Sequence, residues 1–196
     1  MSSAFLERWL EGVIATPGAT GIRGLEEARR VLLDDALRAA PIVDRYPGSV
    51  IDVGSGGGTP GIPLATALPE RVFILLEADR RKCDFLRRSF ADLPNIDVVW
   101  GRAEEQQTDE FGVALAKALA KPPVAAELCL PLVRPGGIAI LWVGESAETD
   151  HVERVAARLA STLQDDRDGL LVLRKIGPTP PGFPRRPGMA KKRPLA

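Results

Sequence analysis

Apolar positions follow two rhythms along this chain. Residues 24–39, GLEEARRVLLDDALRA, put Leu25, Ala28, Leu32, Ala36 and Ala39 at helical spacing, and Pro41 closes the run. After it come short apolar runs ended by glycine or a turn, the mark of buried strands. They are SVIDVG (49–54), VFILLEA (72–78), IDVVWG (96–101), GVALAKAL (112–119), IAILWVG (138–144) and GLLVLRKI (169–176). Between them lie segments of helical character: Pro63 to Leu68, RRKCDFLRRSFADL (80–93), VAAELCLPLV (124–133, despite Pro131) and 148–163. Pro94-Asn95 and Arg134-Pro135-Gly136-Gly137 read as turns.

Strands alternating with helices predict an α/β fold, a mostly parallel sheet with helices on both faces. The last two strand candidates are close in sequence, which suggests an antiparallel pair at that edge. From Gly177 onward six prolines (Pro178, Pro180, Pro181, Pro184, Pro187, Pro194) exclude regular structure and predict an extended arm. The expected organisation is a short helical region (1–44), a main domain (45–176) and the arm (177–196).

Composition adds limits. A chain of 196 residues with 45% hydrophobic and 27% charged residues suits one soluble domain with an extension. Cys83 and Cys129 lie far apart with no CxxC pair, so neither a disulfide framework nor a metal site is suggested, and a cytoplasmic setting is expected. MSSAFLERWLEG lacks an apolar signal core, and IAILWV is too short to span a membrane. The 26 basic and 26 acidic residues cancel, but no acidic residue follows Asp168, whereas Arg174, Lys175, Arg185, Arg186, Lys191, Lys192 and Arg193 do. Such an end either meets an anion or is simply solvated.

The strongest chemical signal is Asp52-Val53-Gly54-Ser55-Gly56-Gly57-Gly58-Thr59-Pro60-Gly61 directly after the first strand. Glycines there permit a sharp turn and close approach of a ligand to the backbone, at the crevice beyond the strand ends. Residues 56–61 satisfy GxGxxG, the dinucleotide fingerprint, but counted from Gly54 the spacing is GxGxG. With Asp52 before it, that tighter register favours S-adenosylmethionine: Asp52 toward the ammonium, Glu77 at the end of the second strand toward the ribose hydroxyls. NAD sites use an acid at the same place, so Glu77 alone does not decide.

DVGSGGGTPGIPLA (52–65) resembles the glycine loop of the RsmG (GidB) family of 16S rRNA methyltransferases. RRKCDFLRRSFADL, GRAEE (101–105) and GPTPPGFPRRPGMAKKRPL (177–195) resemble further family segments in order and spacing, so the match spans roughly residues 45–196. The resemblance implies a Rossmann-like, seven-stranded class I fold with S-adenosylmethionine as cofactor. The implied reaction is N7 methylation of a guanine in the 530 loop of 16S rRNA, within the small subunit and by a monomer. It places Asp52, Gly54, Ser55, Gly56 and Thr59 against the cofactor, with Glu77, Ala103, Glu104 and Lys117. Arg185, Arg186, Lys191, Lys192 and Arg193 would neutralise RNA phosphates. The chain also departs from the family. Its N-terminal region is shorter, Ala19-Thr20-Gly21 replaces Asn-Leu-Thr, and Val31-Leu32-Leu33-Asp34-Asp35 replaces His-x-x-Asp-Ser. Trp142-Val143-Gly144 replaces Leu-Lys-Gly, and Lys117 replaces an arginine.

Guanine N7 has a lone pair and no proton, so such a reaction needs alignment rather than a catalytic residue. His151 reads as a surface residue, and Cys83 and Cys129 as packing residues. Trp100 is expected in the core or against the adenine, and Phe183 as a pin for the arm. No Asn-Pro-Pro-Tyr motif points to an exocyclic amine. Two alternatives stay open: another RNA or a small molecule on the same cofactor fold, or a non-catalytic RNA-binding relative.

Overall fold

In a computed structural model, residues 3–89, 93–144 and 149–196 are described. Seven strands form one sheet in the order β3-β2-β1-β4-β5-β7-β6. They are β1 (Val50–Val53), β2 (Phe73–Glu77), β3 (Ile96–Trp100), β4 (Phe111–Lys117), β5 (Val133–Trp142), β6 (Ser161–Arg167) and β7 (Leu170–Lys175). The first five are mutually parallel, whereas β7 runs antiparallel to both β5 and β6. The chain winds outward in one direction from β1 through β2 to β3 and in the other from β4 to β5. The switch point therefore lies between β1 and β4, where open sheets form a crevice at the strand C-termini.

Alternation along the central strands divides the interior in two. Val50, Phe73, Leu75, Val113, Leu115, Ile138 and Ile140 face one cluster, and Ile51, Leu76, Ala114, Ala139 and Leu141 face the other. The first face is covered by α1 (Ser3–Ala15), a helical stretch over 25–37, α4 (Ala40–Asp44), α5 (Gly61–Ala67) and α6 (Arg80–Ser89). The second is covered by α7 (Pro122–Cys129) and α8 (Thr149–Arg158). Helix α1 escaped sequence reasoning, although Phe5, Trp9 and Val13 recur at four-residue spacing and are buried with Leu10. It shares the core of the sheet's first face, where each fully buried large side chain contributes about 1.5–3 kcal/mol.

The predicted helix over 24–39 exists but is not uniform. It consists of α2 (Leu25–Ala28), a π-helical turn Arg29–Asp34 and α3 (Asp35–Leu37). Pro41 does not end helical structure; it sits in the first turn of α4, where a missing N–H costs nothing. Three other expectations are corrected. The segment 148–163 is not one helix: α8 stops at Arg158, and Ser161–Arg167 turns back as edge strand β6 through Ala160, whose φ is +51°. The run 124–133 is helical only to Cys129; a 3-10 turn Leu130–Leu132 follows and Val133 opens β5. Arg134 to Gly137 lie within β5, at a register irregularity against β4, rather than in a free turn. The expected helix over 80–93 is described to Ser89; residues 90–92 lie outside the described part. No described helix is long and apolar enough to cross a membrane.

The arm is irregular as its prolines require, apart from a short helix α9 (Met189–Lys192), and it is held down rather than free. Thr179 donates from its backbone N–H and its hydroxyl to the Asp109 carboxylate, at 3.0 and 2.8 Å. Lys175, wholly buried, donates to the Leu130 carbonyl and to the Thr179 hydroxyl, and burial pushes its ammonium below the usual lysine range. Phe183 packs against the second core cluster, as a pin would.

Candidate active site

A cleft of about 1320 Å³ opens at the C-terminal ends of the strands. Its first wall is built from β1, β2 and the segment after β3. Gly54 and Ser55 donate their N–H groups to the Leu76 carbonyl, which folds the chain sharply away from β1. Gly54 has φ +73°, and a Cβ there would stand 2.5 Å from a methyl carbon of Leu119, so the turn needs glycine on both counts. The loop is closed from outside by α1: Trp9 Nε1–H donates to the Gly57 carbonyl at 2.9 Å, and a Cβ on Gly57 would press on Val13 at 3.0 Å. Thr59 donates its hydroxyl to the Leu32 carbonyl at 2.7 Å, tying the loop to the π-helical turn.

Glu77 ends β2 and is 8% exposed. Its two carboxylate oxygens accept from the backbone N–H groups of Gly56 (2.9 Å) and Asp79 (2.8 Å), which fixes the carboxylate at the cleft with lone pairs still free. Asp52 does not line the cleft. It lies one layer behind, fully buried, with Oδ2 accepting from Gly61 N–H at 3.0 Å while Oδ1 has no partner among the described residues. Burial pushes its carboxyl up to about 7, opposed by the Gly61 N–H and reinforced by the nearby charge of Glu77. Ser55 is buried and donates to the Asp52 carbonyl. Gly54, Ser55, Gly56, Thr59, Glu77, Ala103 and Glu104 all line the cleft. Glu104 also reaches the arm, accepting from Gly188 N–H at 2.7 Å.

The second wall comes from β4, β5, the β6–β7 turn and the N-terminal helices. Lys117, at the end of β4, is ion-paired with Asp35 and stands 5.9 Å over the Trp142 ring. Arg38 grips the other Asp35 oxygen at 3.1 Å and donates to the Asp168 carbonyl at 2.7 Å. Trp142 Nε1–H donates to the Asp35 carbonyl at 3.2 Å. Ala19, Thr20, Gly21, Val143 and Gly144 complete the rim, so each replaced family element noted in the sequence contributes residues to the cleft, with Ala19 set against Gly57 of the first wall. Asp35 and Trp142 were visible in the sequence only as departures, and Arg38 carried no signal. Trp9 was missed, although the four-residue spacing of Phe5, Trp9 and Val13 is a signal that could have found it.

Two expected placements are corrected. Trp100 is neither core nor cleft wall: it is 58% exposed on edge strand β3, its indole donates to the Ala78 carbonyl, and Arg80 lies 5.4 Å over its ring. Arg185 is not available to a phosphate, because its guanidinium grips the buried Glu127 carboxylate at 2.6 and 2.7 Å and donates to the Arg193 carbonyl. Arg186, Lys191, Lys192 and Arg193 are exposed. Cys83 and Cys129 are buried, which pushes both thiols up, and neither lines the cleft.

The family model for rRNA small subunit methyltransferase G matches residues 6–167. A protein named ribosomal RNA small subunit methyltransferase G from Rubrobacter xylanophilus is 37% identical over 88% of this chain and 76% of its own length. One of the same name from Thermotoga sp. (strain RQ2) is 31% identical over 97% and 90%. Among solved structures, the pyocyanin biosynthetic protein PhzM superposes with a TM-score of 0.62 at 14% identity, over 77% of this chain and 56% of that one. The T. thermophilus 16S rRNA N2 G1207 methyltransferase, in complex with AdoMet and guanosine, gives 0.52 at 14% identity over 74% and 40%. These two show the fold. Family match, relatives and cleft agree, and this chain belongs to the rRNA small subunit methyltransferase G family, whose members are S-adenosylmethionine-dependent rRNA methyltransferases.

Proposed function

We propose that this chain methylates N7 of a guanine in the 530 loop of 16S rRNA, acting on the small ribosomal subunit as a cytoplasmic monomer. One observation carries the N7 assignment: no histidine or cysteine is among the described cleft-lining residues, and of the carboxylates there Asp35, Glu77 and Glu104 are engaged by neighbours while Asp168 lies exposed on the β6–β7 turn. A lone-pair nucleophile without a proton suits such a site, whereas an exocyclic amine has a proton to lose. The 530 loop rests on the resemblance of the glycine loop and the arm to the family.

The first wall fits S-adenosylmethionine. Gly54, Ser55 and Gly56 leave room for the methionine portion, and behind them the buried Asp52 carboxyl holds the Gly61 N–H. The fixed Glu77 carboxylate accepts the ribose hydroxyls, Ala103 and Glu104 border the adenine, Thr59 shapes the loop, and Lys117 faces them across the cleft. When bound, the cofactor supplies a methyl group on a positively charged sulfur. The protein's part is to hold the base in line and keep water out. The exposed Arg186, Lys191, Lys192 and Arg193 bind phosphates, giving salt-dependent affinity with little sequence reading.

The test is methyl transfer from labelled S-adenosylmethionine to small subunits from cells lacking the modification, with the product nucleoside identified. Label in 7-methylguanosine of the 530 loop is expected. Cofactor binding without label in that nucleoside overturns the assignment.

A further inference from the structure

On the reading that the target is a guanine, we propose that the Lys117–Asp35 pair on the second cleft wall reads the O6/N1–H edge of that base and rejects adenine. Two of the positions where the chain departs from the family pattern, 35 and 117, meet in one ion pair inside the cleft. That pair sets a hydrogen-bond donor beside an acceptor. Guanine carries an acceptor, O6, beside a donor, N1–H, so the match is complementary. Adenine carries the reverse, a donating 6-amino group beside the N1 acceptor, and meets like with like on both atoms.

The pair has capacity to spare. An ammonium has three N–H donors, and one goes to Asp35. A carboxylate has about four acceptor positions, and Lys117 and Arg38 take two. It is also held in place. Arg38, tied to the Asp168 carbonyl, grips one Asp35 oxygen, and the Trp142 indole holds the Asp35 backbone carbonyl. A base can therefore add its bonds without either partner giving up its present one, and the reading groups are preorganised. The side chains are 12% exposed for Lys117 and 31% for Asp35, enough to be reached and sheltered enough for a mismatch to leave polar groups unpaired. O6 neighbours N7 on the purine, so a base gripped at O6 and N1 keeps N7 free and turned to one side. The cofactor wall stands on the other side of the same cleft. Arg38 acts through Asp35 and is a positioning residue.

The experiment compares unmodified small subunits carrying guanine or adenine at the target position. It measures kcat/KM of methyl transfer, S-adenosylmethionine affinity by calorimetry, and subunit binding in the presence of S-adenosylhomocysteine. Asp35→Asn and Lys117→Met are each expected to lower kcat/KM on guanine by about 10- to 100-fold and to narrow the guanine-to-adenine ratio by a similar factor. Cofactor affinity of Asp35→Asn should stay within about twofold of the parent. Asp35→Ser serves where Asp35→Asn does not fold. Parent-like discrimination in the variants overturns the inference while the guanine reading stands. Loss of cofactor affinity with unchanged discrimination also overturns it, by assigning the pair to the first wall. A parent protein that methylates no guanine overturns the reading itself, and the inference falls with it.

Discussion

The two walls of the cleft are made in different ways. The first is made of backbone: glycines that turn, N–H groups that hold Glu77, and a helix start facing Asp52. Its parts come from 52–61, 77 and 101–104, three strand ends in their order along the chain. The second is made of side chains, Asp35, Arg38, Lys117 and Trp142, joined across as many as 107 residues. A backbone wall can change few residues without losing its shape. A side-chain wall can be rewritten by point substitutions, and the departures at Asp35, Lys117 and Trp142 lie there.

That contrast can be broken first at Gly54. Gly54→Val forces a branched side chain onto φ +73° and into Leu119, and S-adenosylmethionine affinity is expected to fall by more than about 100-fold, read by calorimetry. An equal loss from Lys117→Met would erase the distinction between the walls.

Behind the first wall, Asp52 sets a pH dependence. Its carboxyl holds a proton up to about 7 in the folded chain, against an ordinary value of 3.8, so folding takes up a proton in that window. Stability of the unliganded protein therefore falls as pH rises from about 4 to about 7, by up to about 4 kcal/mol. Asp52→Asn should flatten that slope, as measured by urea unfolding at the two ends of the window. A slope identical to the parent's removes Asp52 as its cause.

The arm divides along the same line. Arg185→Ala strands the Glu127 carboxylate, whose side chain is 3% exposed, and should cost about 3 kcal/mol in urea unfolding. Arg186→Ala should cost less than about 0.5 kcal/mol. The smallest effect is a change of slope. With Arg186, Lys191, Lys192 and Arg193 all changed to Gln, the salt dependence of RNA binding should become shallower by about 3 in log K against log salt. An unchanged slope would leave those cations merely solvated.

The same contrast explains what could be read from the residues alone. Strand runs, the glycine register and Glu77 were legible because each is a local pattern that backbone geometry enforces. The length of α8 was not, because Ser161-Thr162-Leu163 continue a helical rhythm and only pairing with β7 makes them a strand. Arg185 read as one of several arm cations because its partner Glu127 is 58 residues away and carries no signal of burial in its own neighbourhood. Trp100 read as core because strand residues usually are. Its place at the last residue of edge strand β3, exposed with Arg80 over its ring, is a property of strand order.

The Trp9 contact has a consequence for how long the loop can be trusted. Residues 52–61 look self-sufficient, yet their curvature is finished by an indole contributed 48 positions upstream. Proteolytic removal of the first fifteen residues would cut away no strand, yet it would take the indole off Gly57 and uncover part of the sheet's first face. A nick near the start of the chain would thus cost the cofactor wall its outer support as well as loosening the core beneath it. Ageing of a preparation should be followed by ligand affinity beside secondary structure content, since one cut removes both a helix and the contact that finishes the loop.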